Sequence, residues 1–414
     1  MGREVRDRRP NLRPPTRIEL KEGNTRLRVI LILILIAIAV AAFSSLISTM
    51  IKSRQHSGFS EIVSTGESYS VADEFSFFYH LGDKGSNALY RRLSKLYTEA
   101  TEDAYRIFSS ETVFEGTVNL ASLNASPGEI LTVDPALYKA LTQLAAFGER
   151  SQYLAPIYED YRNIFYSDSD YAASYYDIAQ NPALAAYYGE LAAFARDPES
   201  VELELLGEGR VRLSVSEAYL EFAEENGITC FVSFSFMRNA FVADYLAEVF
   251  SEAGYTDGYF ASFDGFTRNL DSAEGREYVY NLFCRSGNVI DLAARLEYSG
   301  PMSIVYLRNY PMSSRDRTLY YVMADGKTFT PYLDTRDGAS RVAAENIVVY
   351  DASLGTAELL LRLMPLYIAD SLDGSALLSL PCESIWCAQG EIRYTDQGIS
   401  IFDLNEEYRK VHLN

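Results

Sequence analysis

The 414-residue chain has three histidines, His56, His80 and His412, one tryptophan and four cysteines. So few histidines, far apart in the sequence, leave no His-rich metal cluster, and "CESIWC" (Cys382 to Cys387) lacks the CxxC spacing of zinc ligands. HExxH, GxSxG, Walker and GxGxxG patterns are all missing, so zinc-protease, serine-hydrolase, nucleoside-triphosphatase and dinucleotide-binding readings have no motif support. "DSDYAASYYD" (Asp168 to Asp177) lacks the turn glycine of a calcium loop and carries Ala172 at the third oxygen position, so it reads as a solvated acidic loop. Two readings of the cysteines stay open: a Cys382–Cys387 disulfide, which export would allow, and plain buried thiols. Four cysteines in a chain this long are no disulfide scaffold, which favours the second.

Charge is abundant but lopsided. Residues 1–28 hold nine Arg/Lys against four acids, or +5; subtracting these from the totals of 37 and 57 leaves 28 against 53, or −25, on the remainder. Between the two parts, "VILILILIAIAVAAFSSLISTMI" (Val29 to Ile51) runs uncharged for 23 residues, long enough to cross a bilayer as a helix. The run exceeds a usual signal-peptide core, and no small-x-small cleavage site follows it before Lys52. The expectation is a single-pass protein of the cell membrane with four parts: a basic cytoplasmic tail (1–28), a transmembrane helix (29–51), a stalk (52–70) and an extracytoplasmic domain (71–414). So acidic a surface repels phosphate backbones, which excludes nucleic acid as a partner.

Within the domain no fixed-period repeat and no long linker is visible. "VDPALYKALTQLAAFG" predicts a helix with Asp134 as N-cap, Pro135 at the first position, Leu137, Leu141 and Leu144 on one face, and Gly148 as terminator. "ITCFVSFSF" reads as a buried strand running straight into a helix on which Val242, Leu246, Val249 and Ala253 recur until Gly254. "DGYFASFDGF" reads as turn, strand and turn. "SIVYLRNY", "LYYVMAD" and "NIVVYDA" read as strands, with an Asp-Gly turn in "ADGKTF". Thr356 is placed to cap the apolar helix "AELLLRLMPLYIAD". The tyrosines between Tyr158 and Tyr188 read as a half-buried helix face. Irregular alternation of helices and strands, with hairpins toward the C-terminus, predicts an α+β, mixed α/β fold.

From Leu123 to Gly390 the order of elements and several motifs resemble the FAD:protein FMN transferases of the ApbE type. "LNASPGEILTVDPALYKALTQL" is similar to the family's Asn, strand and helix. "YLAPIYEDYRNIF" keeps Pro156 and Phe165 of another family segment, with Ala155 where the family has aspartate. "FSFMRNAFVADYLAEVFSEAGY" (Phe234 to Tyr255) resembles the "G-G-x-A-K-G-x-x-x-D" junction, keeping Asp244 and Gly254. Ser235 and Phe236 stand at the two glycines, Arg238 at the alanine, Asn239 at the lysine and Ala240 at the last glycine. A second Gly-Gly has become Phe263-Asp264 or Asp264-Gly265. "YLDTRDGASRVAAENIVVYDASLGTAELLLRLM" is similar to the "H-x-D-P-x-T-G-x-P" loop and the "A-D-A-x-x-T" helix start, keeping Asp334, Arg336 and Gly338. Tyr332 replaces the histidine, Glu358 the metal-binding aspartate and Arg362 the threonine.

The resemblance implies an ApbE-like flavin transferase fold behind the N-terminal transmembrane helix. It also implies magnesium-dependent transfer of FMN from FAD to a threonine or serine of an exported flavoprotein. Carried onto this sequence, Glu358 would hold Mg, Arg238 would neutralise phosphate charge, and Tyr332 with Asp334 would line the acceptor side. Asn239, Asp244, Asp264 and Arg336 would contact the cofactor. The losses affect the pyrophosphate cradle, the metal ligands and the histidine together, so the alternative is an inactive flavin-binding or scaffold module of the same fold. Glycines let backbone amides approach a pyrophosphate, and Phe236 would crowd that approach.

Overall fold

In a computed structural model of the chain, residues 58–66, 69–287, 289–316 and 319–413 are described, so the apolar run 29–51 and the basic tail lie outside the described residues. Among the described residues no helix is long and apolar enough to cross a membrane.

A nine-stranded sheet organises the molecule, and its spatial order follows the chain. The strands are β1 (Phe59–Ile62), β2 (Phe75–His80), β3 (Gly258–Ser262), β4 (Phe266–Asn269), β5 (Met302–Arg308), β6 (Asn346–Asp351), β7 (Glu383–Ala388), β8 (Glu391–Tyr394) and β9 (Arg409–His412). Each pair is antiparallel except β8–β9, which is parallel. The β3–β4 hairpin turns at Gly265, whose φ of +114° and contact with the Tyr306 carbonyl leave no room for a Cβ.

Both faces of the central strands are covered, so they read as continuous apolar runs. On β5 and β6, Val305, Leu307, Ile347 and Val349 face one core, while Ile304, Tyr306, Val348 and Tyr350 face another. The first core is helical: α1 (Asn87–Ile107), α2 (Pro135–Phe147), α3 (Ala155–Phe165), α4 (Arg238–Glu252) and α5 (Thr356–Tyr367) contribute to it. Phe77 stacks on Phe260 at 4.4 Å and meets Phe250 of α4 edge-on at 4.7 Å. The second core lies under a long hairpin, Glu277–Ser286 with Val289–Ser299, which packs Leu282, Ala294 and Leu296 onto the sheet. A Cys284–Cys387 disulfide ties that hairpin to β7, so the Cys382–Cys387 pairing does not form, and Cys230 and Cys382 stay free.

Three local expectations need correction. Residues 59–62, within the stretch read as a stalk, are the edge strand β1, registered Phe59 to His80 through Ile62 to Phe77 and burying Ile62. "ITCFVSFSF" forms no strand. Asn124 takes its backbone bonds instead, accepting from the amides of Phe231 and Val232 at 2.9 and 3.0 Å and donating to the Val232 carbonyl at 2.9 Å. The segment then tightens into a 3-10 turn, Ser235–Met237, ahead of α4. Finally, Thr356 is the first residue of α5 and Gly355 its N-cap, and the carboxylate that satisfies that end comes from another helix, as described below. The Asp134-capped helix α2 forms as the sequence predicts, with Leu137, Leu141 and Leu144 buried and Gly148 left-handed.

Candidate functional site

Where the 3-10 turn meets α4, a cavity of about 280 Å³ opens between α4, α3, the β3–β4 turn and the loop at Tyr332. That volume is at the small end for a ligand pocket. Its walls are aromatic: Phe236 meets Tyr332 edge-on at 5.2 Å and Tyr158 at 6.1 Å. The tyrosine-rich helix α3 forms one side through Tyr158 and Tyr161, both buried.

The floor is polar and charged. Glu74, just before β2, bridges across the chain to the Arg238 guanidinium and accepts from Asn239 Nδ2 at 3.0 Å. The same Nδ2 donates to Asp264 at 3.0 Å. Two carboxylates therefore lie beside the start of α4, the positive end of the helix dipole, while the 3-10 turn takes the amides of Met237 and Arg238. Burial pushes the Asp264 carboxyl up to about 6; Glu74 adds to the effect, while Ser262, Asn239 and Arg238 oppose it. Asn239 is 3% exposed, and among the described residues its Oδ1 and Ser235 Oγ have no partner. Ser235, at a glycine position of the motif, takes a left-handed φ of +49°.

No protein-family model matches the sequence, and no curated protein matches it significantly. Among solved structures, the ApbE protein of Thermotoga maritima MSB8 superposes with a TM-score of 0.53 at 12% identity, over 84% of this chain and 97% of that one. The flavin transferase ApbE of Vibrio cholerae gives 0.50 at 11% identity, over 81% and 94%. This chain has the ApbE fold. The mixed α/β architecture resembles those flavin transferases, and at such low identity the likeness concerns the fold.

On this ApbE fold the residues singled out in the sequence divide into two groups. Arg238, Asn239, Asp264 and Tyr332 meet at the cavity. Asp244, Asp334, Arg336 and Glu358 do not line it; each is engaged elsewhere. Asp244 caps α5 from α4, accepting from the amides of Thr356 and Ala357 and from the Thr356 hydroxyl at 2.8–2.9 Å. Gly355 packs so close to that carboxylate that a Cβ would strike it. Burial raises the Asp244 pKa against these bonds and Arg268.

Asp334 is 5% exposed and binds the Arg336 amide and guanidinium at 2.7 and 2.8 Å, with Arg341 at 2.9 Å. Burial works to raise its pKa, but the arginines win and hold it below the usual value. Arg336 also pairs with Asp370 at 3.2 Å. Glu358 accepts from Arg362 at 2.6 Å, the i, i+4 pairing that the spacing suggests. Tyr332 is 3% exposed, and burial raises its phenol well above the usual value, so it is no base near neutral pH.

Neither implied group fits these residues. A magnesium ion at Glu358 would face the Arg362 guanidinium, and among the described residues no group of three or more His, Cys, Asp or Glu is disposed around a metal. A pyrophosphate at α4 would face Glu74 and Asp264, with Phe236 against Tyr332 in place of glycine. Sequence reading missed Glu74, Tyr158 and the bonding role of Asn124. Glu74 lies 164 residues before Arg238, and nothing in "VADEFSFF" announces that contact.

Proposed function

We propose that the protein is a membrane-anchored, extracytoplasmic binding module of ApbE fold that holds a small ligand in the Phe236–Tyr332 cavity and has given up metal-assisted FMN transfer. One observation carries this reading: the carboxylates of Glu74 and Asp264 occupy the space beside the start of α4, where they are bonded to the side chains of Arg238 and Asn239. The commitment of Glu358, Asp244 and Asp334 to internal partners agrees with it. The uncharged run 29–51, the +5 flank and the acidic remainder support the anchor and its orientation. A disulfide closing 103 residues supports an oxidising compartment.

A second reading, magnesium-dependent transfer of FMN from FAD to a flavoprotein threonine or serine, is favoured by the likeness over 97% and 94% of the two solved chains. One assay separates them. Detergent-solubilised full-length protein is incubated with FAD, magnesium and a threonine-containing acceptor protein, with Vibrio cholerae ApbE in parallel. The expected outcome is no covalent flavin on the acceptor and no effect of magnesium on flavin fluorescence. Flavinylation at a rate comparable with the parallel enzyme would sink the binding-module reading.

A further inference from the structure

We infer that the cavity selects a small organic cation, an ammonium or guanidinium group on an apolar body, in place of a phosphate-bearing ligand. This rests on the binding-module reading and deepens it. The cavity lining carries four carboxylates, Glu74, Glu111, Glu159 and Asp264, against two guanidinium groups, Arg162 and Arg238, which is four minus two, or a net −2. The cations are already used: Arg238 pairs with Glu74, and Arg162 with Glu111 at 2.6 Å. Among the described residues Glu159 and Asp264 form no ion pair of their own; burial, the largest cause, raises the pKa of each and outweighs Arg162 and Arg238, which act to lower them.

Asn239 gives an independent observation. Its Nδ2 donates to two carboxylates, which fixes the amide orientation, because a flipped side chain would set oxygen against oxygen. The buried Oδ1 is therefore an acceptor with no hydrogen-bond partner among the described residues. Acceptors, unbalanced negative charge and ring faces together suit a group that donates several hydrogen bonds, carries positive charge and stacks on aromatics. A phosphate brings negative charge and acceptors to a lining that already has an excess of both.

The same chemistry is offered by a free amine and by a basic side chain of a peptide; the cavity volume favours the free molecule. The test is calorimetric titration of the full-length protein in detergent with 2-phenylethylamine, with 2-phenylethanol as neutral isostere and FAD with magnesium as anionic competitor. The amine should bind at least ten-fold tighter than the alcohol. Asn239→Leu and the near-isosteric Asp264→Asn should each cut that preference several-fold while their urea midpoints report intact folding.

N-acetyl-arginine amide binding more tightly than the free amine would move the source to a peptide and keep the cation. Equal binding of amine and alcohol, tighter binding of FAD, or no binding of any amine would each overturn the inference. The binding-module reading stands or falls separately, on the flavinylation assay.

Discussion

Asp264 is a residue whose charge the fold tolerates poorly. Its carboxyl is raised from 3.8 to about 6, so the folded protein prefers the proton, and the stability this contributes is full below the unfolded value and lost as pH rises through 6. Asp264→Asn removes that dependence. Relative to wild type, the variant should be within about 0.5 kcal/mol by urea denaturation at pH 4 and more stable at pH 7, by up to roughly 3 kcal/mol. A gap that does not grow between pH 4 and 7 would mean the carboxyl is solvated. Asp244 makes the opposite case: Asp244→Ala uncaps α5 and strands two amides, at a cost of about 2–4 kcal/mol. Asn, which keeps one acceptor, should recover part of it. A full ligand-binding defect without a change in urea midpoint would instead make Asp244 a contact residue.

At the scale of elements, local signals were legible where the chain satisfies itself and illegible where a distant group does so. Helix α2 carries its own cap, proline, apolar stripe and terminating glycine, and it forms as the sequence predicts. The strands β5 and β6 are apolar on both faces and announce a covered sheet. "ITCFVSFSF" carries the same alphabet, yet Asn124, 107 residues before Phe231, takes the bonds a neighbouring strand would have taken. The capping of α5 by Asp244 and the pairing of Glu74 with Arg238 at the start of α4 are distant for the same reason. The cysteine pairing was illegible too, because Cys284 and Cys387 meet across the face of a sheet, 6.3 Å apart at Cα. Cys387→Ser should free the hairpin from β7 and cost about 2–4 kcal/mol. Reductant should lower the melting temperature of wild type toward that of the variant, which should itself ignore reductant. Equal sensitivity of both would mean the bond contributes nothing.

For the molecule as a whole, 53 acids against 28 bases beyond residue 28 set up a field that acts before any ligand touches the cavity. The net −2 of the cavity lining is the local focus of that field. An anion arriving from solvent meets repulsion at long range and Glu74 with Asp264 at short range, whereas a cation is drawn in by both. Added salt shortens the reach of the long-range part from about 30 Å at 0.01 M to about 3 Å at 1 M, while the buried contacts are screened far less. Binding of 2-phenylethylamine should therefore weaken several-fold across that range and level off at a residual affinity set by Asn239, Asp264 and the rings. FAD, if it binds at all, should bind better in salt. Measured on full-length protein in one detergent, opposite salt slopes for the two ligands would tie selection to charge. Parallel slopes would assign it to shape and remove the acidic surface from the account.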